Sequence, residues 1–283
     1  MKKAVKFAGL ALAASCAFCA ASCAPEQLAI GKEYVSATTQ EGALLKLTKG
    51  EADVAIIDSI MAGYYTMTGD YAGQMQIVEG LELATESYGI AAKKGNETLI
   101  SKVNEGLLSL RQKAAYNDIA ATFGVTGSLA LTGNEVDPYA SATDSSWDAV
   151  VASGTLVIGY TVFAPIAYEV SGALTGYDIE LAKAVVAELN TLYSVDIDVQ
   201  FQLITWSAKE MLLDNGTIDL VWNGMTITQE REENMTISFP YLYNKQVAVV
   251  LNEDAARFTS VESMSNAIMT AEAGSAGEAV IKG

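Results

Sequence analysis

The chain contains no histidine, and its three cysteines, Cys16, Cys19 and Cys23, all fall within the first 23 of its 283 residues. The first absence excludes Ser-His-Asp triads, imidazole acid–base pairs and histidine metal sites. The second leaves the body of the protein without a disulfide. Arginine is scarce as well, at Arg111, Arg231 and Arg257 only. With 17 basic residues against 34 acidic ones and a net charge of −17, nucleic acid is excluded as a partner, because phosphate binding needs clustered Lys and Arg. A long membrane span is missing too: the apolar run Phe7–Ala21 is about 15 residues, against the roughly 20 that cross a bilayer. What remains is a chain that is 51% hydrophobic, long enough for one large domain or two ordinary ones with a real core.

That short run follows Lys2, Lys3 and Lys6 and precedes small residues, the pattern of a secretory signal. Ala20-Ala21-Ser22-Cys23 resembles the lipobox of bacterial lipoproteins, with Ala13-Ala14-Ser15-Cys16 as a competitor that leaves a very short apolar core. The expectation is a signal peptide over residues 1–22 and a lipid on Cys23, which anchors the protein to the outer face of the cell membrane. Cleavage before Cys23 removes the three leading lysines and takes the net charge from −17 to −20.

The body carries one unit twice. Gly42-Ala-Leu-Leu-Lys-Leu-Thr-Lys-Gly50 leads into Asp53, four apolar residues and Asp58; Glu210-Met-Leu-Leu-Asp-Asn-Gly216 leads into Asp219, an apolar strand and Gly224. Each reads as a helix, a glycine stop in the left-handed region, an aspartate and a buried parallel strand. Leu156–Tyr160, Val195–Phe201 and Gln246–Leu251 read as further strands. Helical stripes appear at Ile179, Ala182, Val185, Val186 and Leu189, and at Leu99, Ile100, Val103, Leu107 and Leu110. Helices alternating with strands predict an α/β protein of two Rossmann-like lobes with doubly wound sheets, whose ligands bind beyond the strands' carboxyl ends. Asp58 and Asn223-Gly224-Met225-Thr226 lie at such ends. The stretch 131–146 lacks apolar periodicity, is rich in turn formers and reads as a linker.

Gly176-Tyr-Asp-Ile-Glu, Trp206, Asn215-Gly-Thr-Ile-Asp through Asn223-Gly-Met-Thr-Ile-Thr-Gln-Glu-Arg231, and Ser238-Phe-Pro-Tyr241 together resemble the solute-binding proteins of polar amino-acid ABC importers, of the type II periplasmic binding protein fold. The order differs from that family's. Ala271-Glu-Ala-Gly274-Ser-Ala-Gly277 resembles the turn that opens the family's second lobe, yet stands near the end of the chain. Glu33-Tyr-Val-Ser, Gly42–Asp58 and Tyr88-Gly-Ile-Ala-Ala-Lys-Lys-Gly95 resemble the family's segments downstream of that turn, yet stand near the beginning. The expectation is a circular permutation: lobe 2 from residues 24–88 plus 251–283, lobe 1 from 89–130 plus 147–250, a two-strand hinge near Tyr88–Lys93 and Gln246–Leu251, and 131–146 joining the family's usual termini. Two half-domains, each needing a partner chain, are the alternative.

A free amino acid presents a carboxylate, an ammonium group and a side chain, so its site needs a paired cation, a paired anion and a tailored wall. The resemblance assigns the carboxylate to Arg231 and Thr226, the ammonium group to Asp58 with Asn223 and Gly224, and the side-chain walls to Trp206, Phe163 and Glu272. Ala276 stands where the family has a threonine that grips the carboxylate, and Ser275 beside it is a candidate to compensate. Residue patterns alone leave other roles open. Arg231 would pair with Glu230, Glu232 and Glu233 on the surface, Asp58 would cap a helix, Trp206 and Phe163 would be core aromatics, and Glu272 would be solvated or touch the hinge. Tyr160 or Thr161 occupies a position that is often acidic in relatives that take cationic ligands. The resemblance therefore implies a binding protein without catalysis, metal or cofactor, which takes a basic or polar amino acid and docks on ABC permease subunits. A lyase resembling cyclohexadienyl dehydratase, and a sensor that signals without transport, are the alternatives.

Overall fold

The computed structural model describes residues 28–68 and 71–283; the expected signal peptide, Cys23 and Cys16 lie outside the described residues. Along the chain come β1 (Glu33–Ala37), α1 (Gln40–Thr48), β2 (Val54–Asp58), α2 (Ser59–Met67) and β3 (Met75–Lys93), then α3 (Glu97–Gln112), α4 (Ala115–Thr122) and α5 (Ser146–Ser153). The chain continues with β4 (Thr155–Tyr160), the small hairpin β5 (Tyr168–Val170) and β6 (Ala173–Thr175), α6 (Tyr177–Tyr193), β7 (Asp198–Leu203), α7 (Lys209–Asp214) and β8 (Leu220–Thr226). It closes with α8 (Gln229–Asn234), β9 (Met235–Ile237), β10 (Leu242–Leu251), β11 (Ile268–Glu272) and α9 (Ala276–Lys282). No helix among the described residues is long and apolar enough to cross a membrane.

Strands bond in the order β1-β11-β2-β10-β3-β8-β4-β7, with β9 beside β3. One half holds three parallel strands, β8, β4 and β7; the other holds β1, β11 and β2, also parallel. The expected pair of separate sheets is thus one hydrogen-bonded path, because β3 runs for 19 residues and pairs with β10 from Met75 to Tyr88 and with β8 from Tyr88 to Ala92. The expected lobe boundary at 250/251 also shifts. Gln246–Val249 of β10 bonds to β2, so the crossing between halves falls near residues 242–246 and 84–88.

The repeated unit folds the same way twice. Gly50 and Gly216 end their helices at φ +68° and +72°, where an L side chain would be strained. Asp53 donates its N–H to the Ile268 carbonyl (2.8 Å) and accepts from the Ile268 N–H on Oδ2 (2.8 Å). Asp219 makes the same two bonds to Val157, each 2.8 Å. Each aspartate thereby sets the register of a parallel neighbour, β11 in one half and β4 in the other.

Every residue of β2 is buried. Alternation on a strand sends Ala55 and Ile57 into the main core with Leu44, Leu47 and Met61, and Val54 and Ile56 into a second core. That second core mixes Ile30 and Val54 from the start of the chain with Met264, Met269 and Ile281 from its end. Each such side chain contributes about 1.5–3 kcal/mol when fully buried, so the two ends of the chain stabilise one another. Helices α3 and α6 pack together through the apolar stripes read from sequence. The stretch 131–146 is irregular up to α5, yet it is fastened: Asp144 accepts from the Thr98 N–H (2.8 Å) at the start of α3, and Asp137 accepts from Ser101 (2.5 Å) and Asn104 (2.9 Å).

Candidate functional site

Parallel strands leave their carboxyl ends facing the crevice between the halves, and the polar residues nominated from sequence collect there. Asp58 ends β2; Thr161 and Phe163 follow β4; Trp206 precedes α7; Asn223, Gly224 and Thr226 end β8; Arg231 sits on α8; Glu272 ends β11, and Ser275 and Ala276 open α9. Together with Gln40 of α1 these residues line one cavity. The space between them admits about one water, so the halves must part to admit anything larger.

Asp58 occupies the N-cap position of α2, but its carboxylate caps nothing. It accepts instead from Tyr88 Oη (2.7 Å), Gln246 Nε2 (2.9 Å), Asn244 Nδ2 and Gln40 Nε2. Gln40 also holds the Asp58 N–H through Oε1 (3.0 Å). Asn244 and Gln246 each donate to Glu86 Oε1 as well, which clamps two carboxyl groups side by side. Burial and then the neighbouring Glu86 push the Asp58 carboxyl well above its ordinary range, against the bonds from Tyr88 and Gln40.

Across the crevice Thr228 caps α8 by accepting from the Arg231 N–H (3.2 Å). Arg231 is buried, and among the described residues it makes no ion pair with Glu230, Glu232 or Glu233. Its Nη1 donates to the Thr226 carbonyl (2.7 Å), and its Nη2 reaches the Gly274 carbonyl (3.1 Å), from β8 to the turn before α9. Burial lowers its pKa and the carboxylates of Glu86, Glu210, Asp58 and Glu230 raise it; a guanidinium stays charged in either case. Its Cζ lies 5.9 Å from the centre of the Trp206 ring, and Lys209 Nζ lies 4.8 Å from it.

Several groups are engaged otherwise than expected. The Thr226 hydroxyl donates to Glu86 (2.8 Å) rather than toward Arg231. The Gly224 N–H turns away from the cavity to Asp178 Oδ2 (2.8 Å), which also accepts from Tyr241 Oη (2.7 Å). At φ +60° Gly224 has no room for a side chain, since a Cβ would stand 2.6 Å from Phe163 Cε1. Ser275 Oγ caps α9 by accepting from the Glu278 N–H (3.2 Å), which leaves its hydroxyl proton free to donate beside Ala276. Of Tyr160 and Thr161, it is Thr161 that lines the cavity. Thr161 grips the Asn223 carboxamide, whose nitrogen donates to its carbonyl (3.1 Å) and whose oxygen accepts from its hydroxyl (2.8 Å).

Glu272 is neither solvated nor at the hinge. Only 4% exposed, it lines the cavity with no bond to Oε1, and burial pushes its carboxyl up to about 8, opposed by Lys209. Sequence reading missed Gln40, Tyr88, Asn244 and Gln246, which hold Asp58, and Glu86, Asp178 and Lys209. The amides carry no signal of their own in sequence. Asp178 lies inside the Gly176-Tyr-Asp-Ile-Glu motif, and that motif could have nominated it.

Residues 156–272 match the sequence profile of the bacterial extracellular solute-binding proteins, family 3. Over 111 residues the chain is 29% identical to a probable amino-acid-binding protein of Bacillus subtilis, covering 39% of each. Over 140 residues it is 26% identical to the L-cystine-binding protein of Escherichia coli, covering 49% of this chain and 50% of that one. The substrate-binding protein of an ABC uptake transporter from Streptococcus pneumoniae, solved with bound histidine, is 34% identical over 32% of this chain and 35% of its own, with a TM-score of 0.28. The chain thus spans half or less of the length of these curated relatives.

Proposed function

We propose that the chain, whose residues 156–272 match the profile of the family 3 extracellular solute-binding proteins, is a member of that family that binds a free amino acid outside the cytoplasmic membrane and hands it to an ABC-type importer by closing two lobes on it. The observation that carries this reading is that Arg231 and Asp58, far apart in sequence and in different halves of the fold, line one crevice. A guanidinium fork suits a carboxylate and a buried carboxyl suits an ammonium group. Only a zwitterion engages both, so ligand and closure are coupled. The binding of amino acids by relatives supports the ligand class.

In this reading Arg231 takes the carboxylate with N–H groups near Ala276, and Asp58 with the carbonyls of Asn223 and Gly224 takes the ammonium group. Phe163, Trp206 and Glu272 face the side chain. Thr226 joins once its hydroxyl leaves Glu86. Lobe 2 comprises residues 24–88 and 251–283, adjusted to include the β10 residues bonded to β2; lobe 1 comprises 89–130 and the rest of 147–250, and 131–146 joins these two segments of lobe 1, where the family's usual termini would lie. We read this as a circular permutation of the family's order, supported by β11 lying between β1 and β2. A lipid on Cys23 would hold the protein at the membrane, beside the permease.

A thermal-shift screen of the full chain against the twenty amino acids tests the proposal. At 100 times its Kd a ligand stabilises by about 2.7 kcal/mol, and Arg231→Ala should abolish the shift. No shift with any amino acid, or an undiminished one in the variant, refutes it. A second reading, a lyase resembling cyclohexadienyl dehydratase, needs a protonated carboxyl in the crevice, and Glu272 at about 8 meets that need. Turnover of prephenate or arogenate would favour the lyase. A sensor without transport is separated by whether a permease and an ATPase are encoded beside the gene.

A further inference from the structure

Among the charged side chains that line the crevice, Asp58, Arg231 and Glu272, the last is not used in recognising a ligand's carboxylate and ammonium. Glu272 Oε1 is buried and accepts no hydrogen bond among the described residues, in a protein whose other cavity carboxylate, Asp58, accepts four. A buried carboxyl oxygen without a donor is costly, and this one belongs to a side chain lining the cavity beside Trp206 and Phe163. The nearest cation on its flank, Lys209, is itself 4% exposed and leans over the Trp206 ring at 4.8 Å rather than bonding Glu272.

Charge balance points the same way. Carboxyl groups outnumber cations about the crevice: Asp58, Glu86 and Glu272, with Asp178 behind Gly224 and Glu210 and Glu230 near Arg231, stand against Arg231 and Lys209. A zwitterion leaves that excess in place, an acidic amino acid enlarges it, and an amino acid with a cationic side chain reduces it where Glu272 has no donor of its own. A cation also gains from the faces of the two aromatic rings. We propose that Glu272 is the specificity-determining residue of the crevice and selects an amino acid whose side chain ends in a cation. The inference rests on the amino-acid-binding reading above and narrows it.

The test is calorimetric titration of the full chain with L-arginine and L-lysine, and with L-citrulline and L-glutamine as neutral counterparts of similar length. Wild type should bind arginine or lysine at least tenfold more tightly than the neutral pair. Glu272→Gln keeps the shape and removes the charge, and should erase that preference. Lys209→Met removes a like charge from the same flank and should strengthen the preference severalfold. This opposite sign would not arise from mere disturbance of the fold, and it carries the test if Glu272→Gln does not fold. Equal affinity for citrulline and arginine, a preference unchanged in Glu272→Gln, or a weakened one in Lys209→Met overturns the inference. Tight binding of a neutral or acidic amino acid overturns it while leaving the broader reading intact; no binding of any amino acid overturns both.

Discussion

Glu272 makes a prediction about stability that needs no ligand. Burial holds its carboxyl up to about 8 in the folded protein, against an ordinary value of 4.5. The folded state therefore binds this proton more tightly than the unfolded chain does. Its contribution is most favourable below pH 4.5 and is lost as pH climbs toward 8. Between those limits the loss amounts to at most about 4 kcal/mol, and to about 2–4 once water entry and relaxation are allowed for. Glu272→Gln has the same shape and no proton to lose, so it escapes the loss. The two proteins should melt together near pH 4.5. By pH 8 the variant should melt higher by about 4–8 °C, at roughly 2 °C per kcal/mol for a chain of this size. Thermal melts at half-unit steps from pH 4.5 to 8 measure this. The scan stops there because Lys209, drawn down to about 8 by burial and then by Arg231, adds a slope of opposite sign at higher pH. A melting difference that stays constant over the range, or that falls as pH rises, refutes the buried and unpaired state of Glu272. If a cationic amino acid pairs with Glu272, adding it at saturation should shrink or invert the difference.

Four further substitutions bear on binding and folding. Asp58→Asn should abolish amino-acid binding at a smaller loss of melting temperature than Asp58→Ala, because it keeps an oxygen for Tyr88, Asn244 and Gln246 and sets its amino group against Gln40 Nε2 alone; Asp58→Ala strands all four donors at about 1–3 kcal/mol each and should melt well below wild type. Ala276→Thr restores a hydroxyl at the opening of α9, and a charge-assisted bond of about 1.5–3 kcal/mol should tighten binding by about tenfold to a hundredfold; calorimetry showing no gain would mean that the ligand carboxylate does not lie there. Gly224→Ala forces a side chain into the left-handed region against Phe163; chemical denaturation should show a loss of at least about 2 kcal/mol, with weaker binding as Phe163 is displaced.

Much of the architecture could be read because local chemistry decides it. The stops at Gly50 and Gly216, the fully apolar β2 and the stripes of α3 and α6 each follow from a few neighbouring residues. The rest depends on distant partners. Strand β7 begins at Asp198, later than the apolar alternation from Val195 suggests, because Asn190 holds the Ile197 backbone through both its N–H and its carbonyl, each at 3.0 Å. The first half of β3 shows little strand pattern, and its pairing with β10 comes from chain far away in the numbering. In the crevice, Arg231, Asp58 and Glu272 were nominated by the family resemblance, since residue type alone left each of them another role. Their state was not legible: whether Glu272 is solvated or sealed depends on Trp206 and Lys209, and whether Asp58 is free depends on amides at 40, 244 and 246.

The paired roles of Asp53 and Asp219 bear on how such a chain folds. Asp219 fixes β4 beside β8 through Val157, and β4 precedes β8 in the sequence. Asp53 fixes β11 beside β2 through Ile268 with the same two bonds, but β11 follows β2 by some two hundred residues. One half can thus form from nearby segments. The other must wait for β11 to arrive and insert between β1 and β2, and closing so long a loop is slow. Until then β1 and β2 lack the strand that joins them, and Val54 and Ile56 lack Met269 and Ile281. In the permutation we propose, the lobe carrying Asp58 and Glu272 is therefore the later to form, and the crevice is complete only when both ends of the described chain share one sheet.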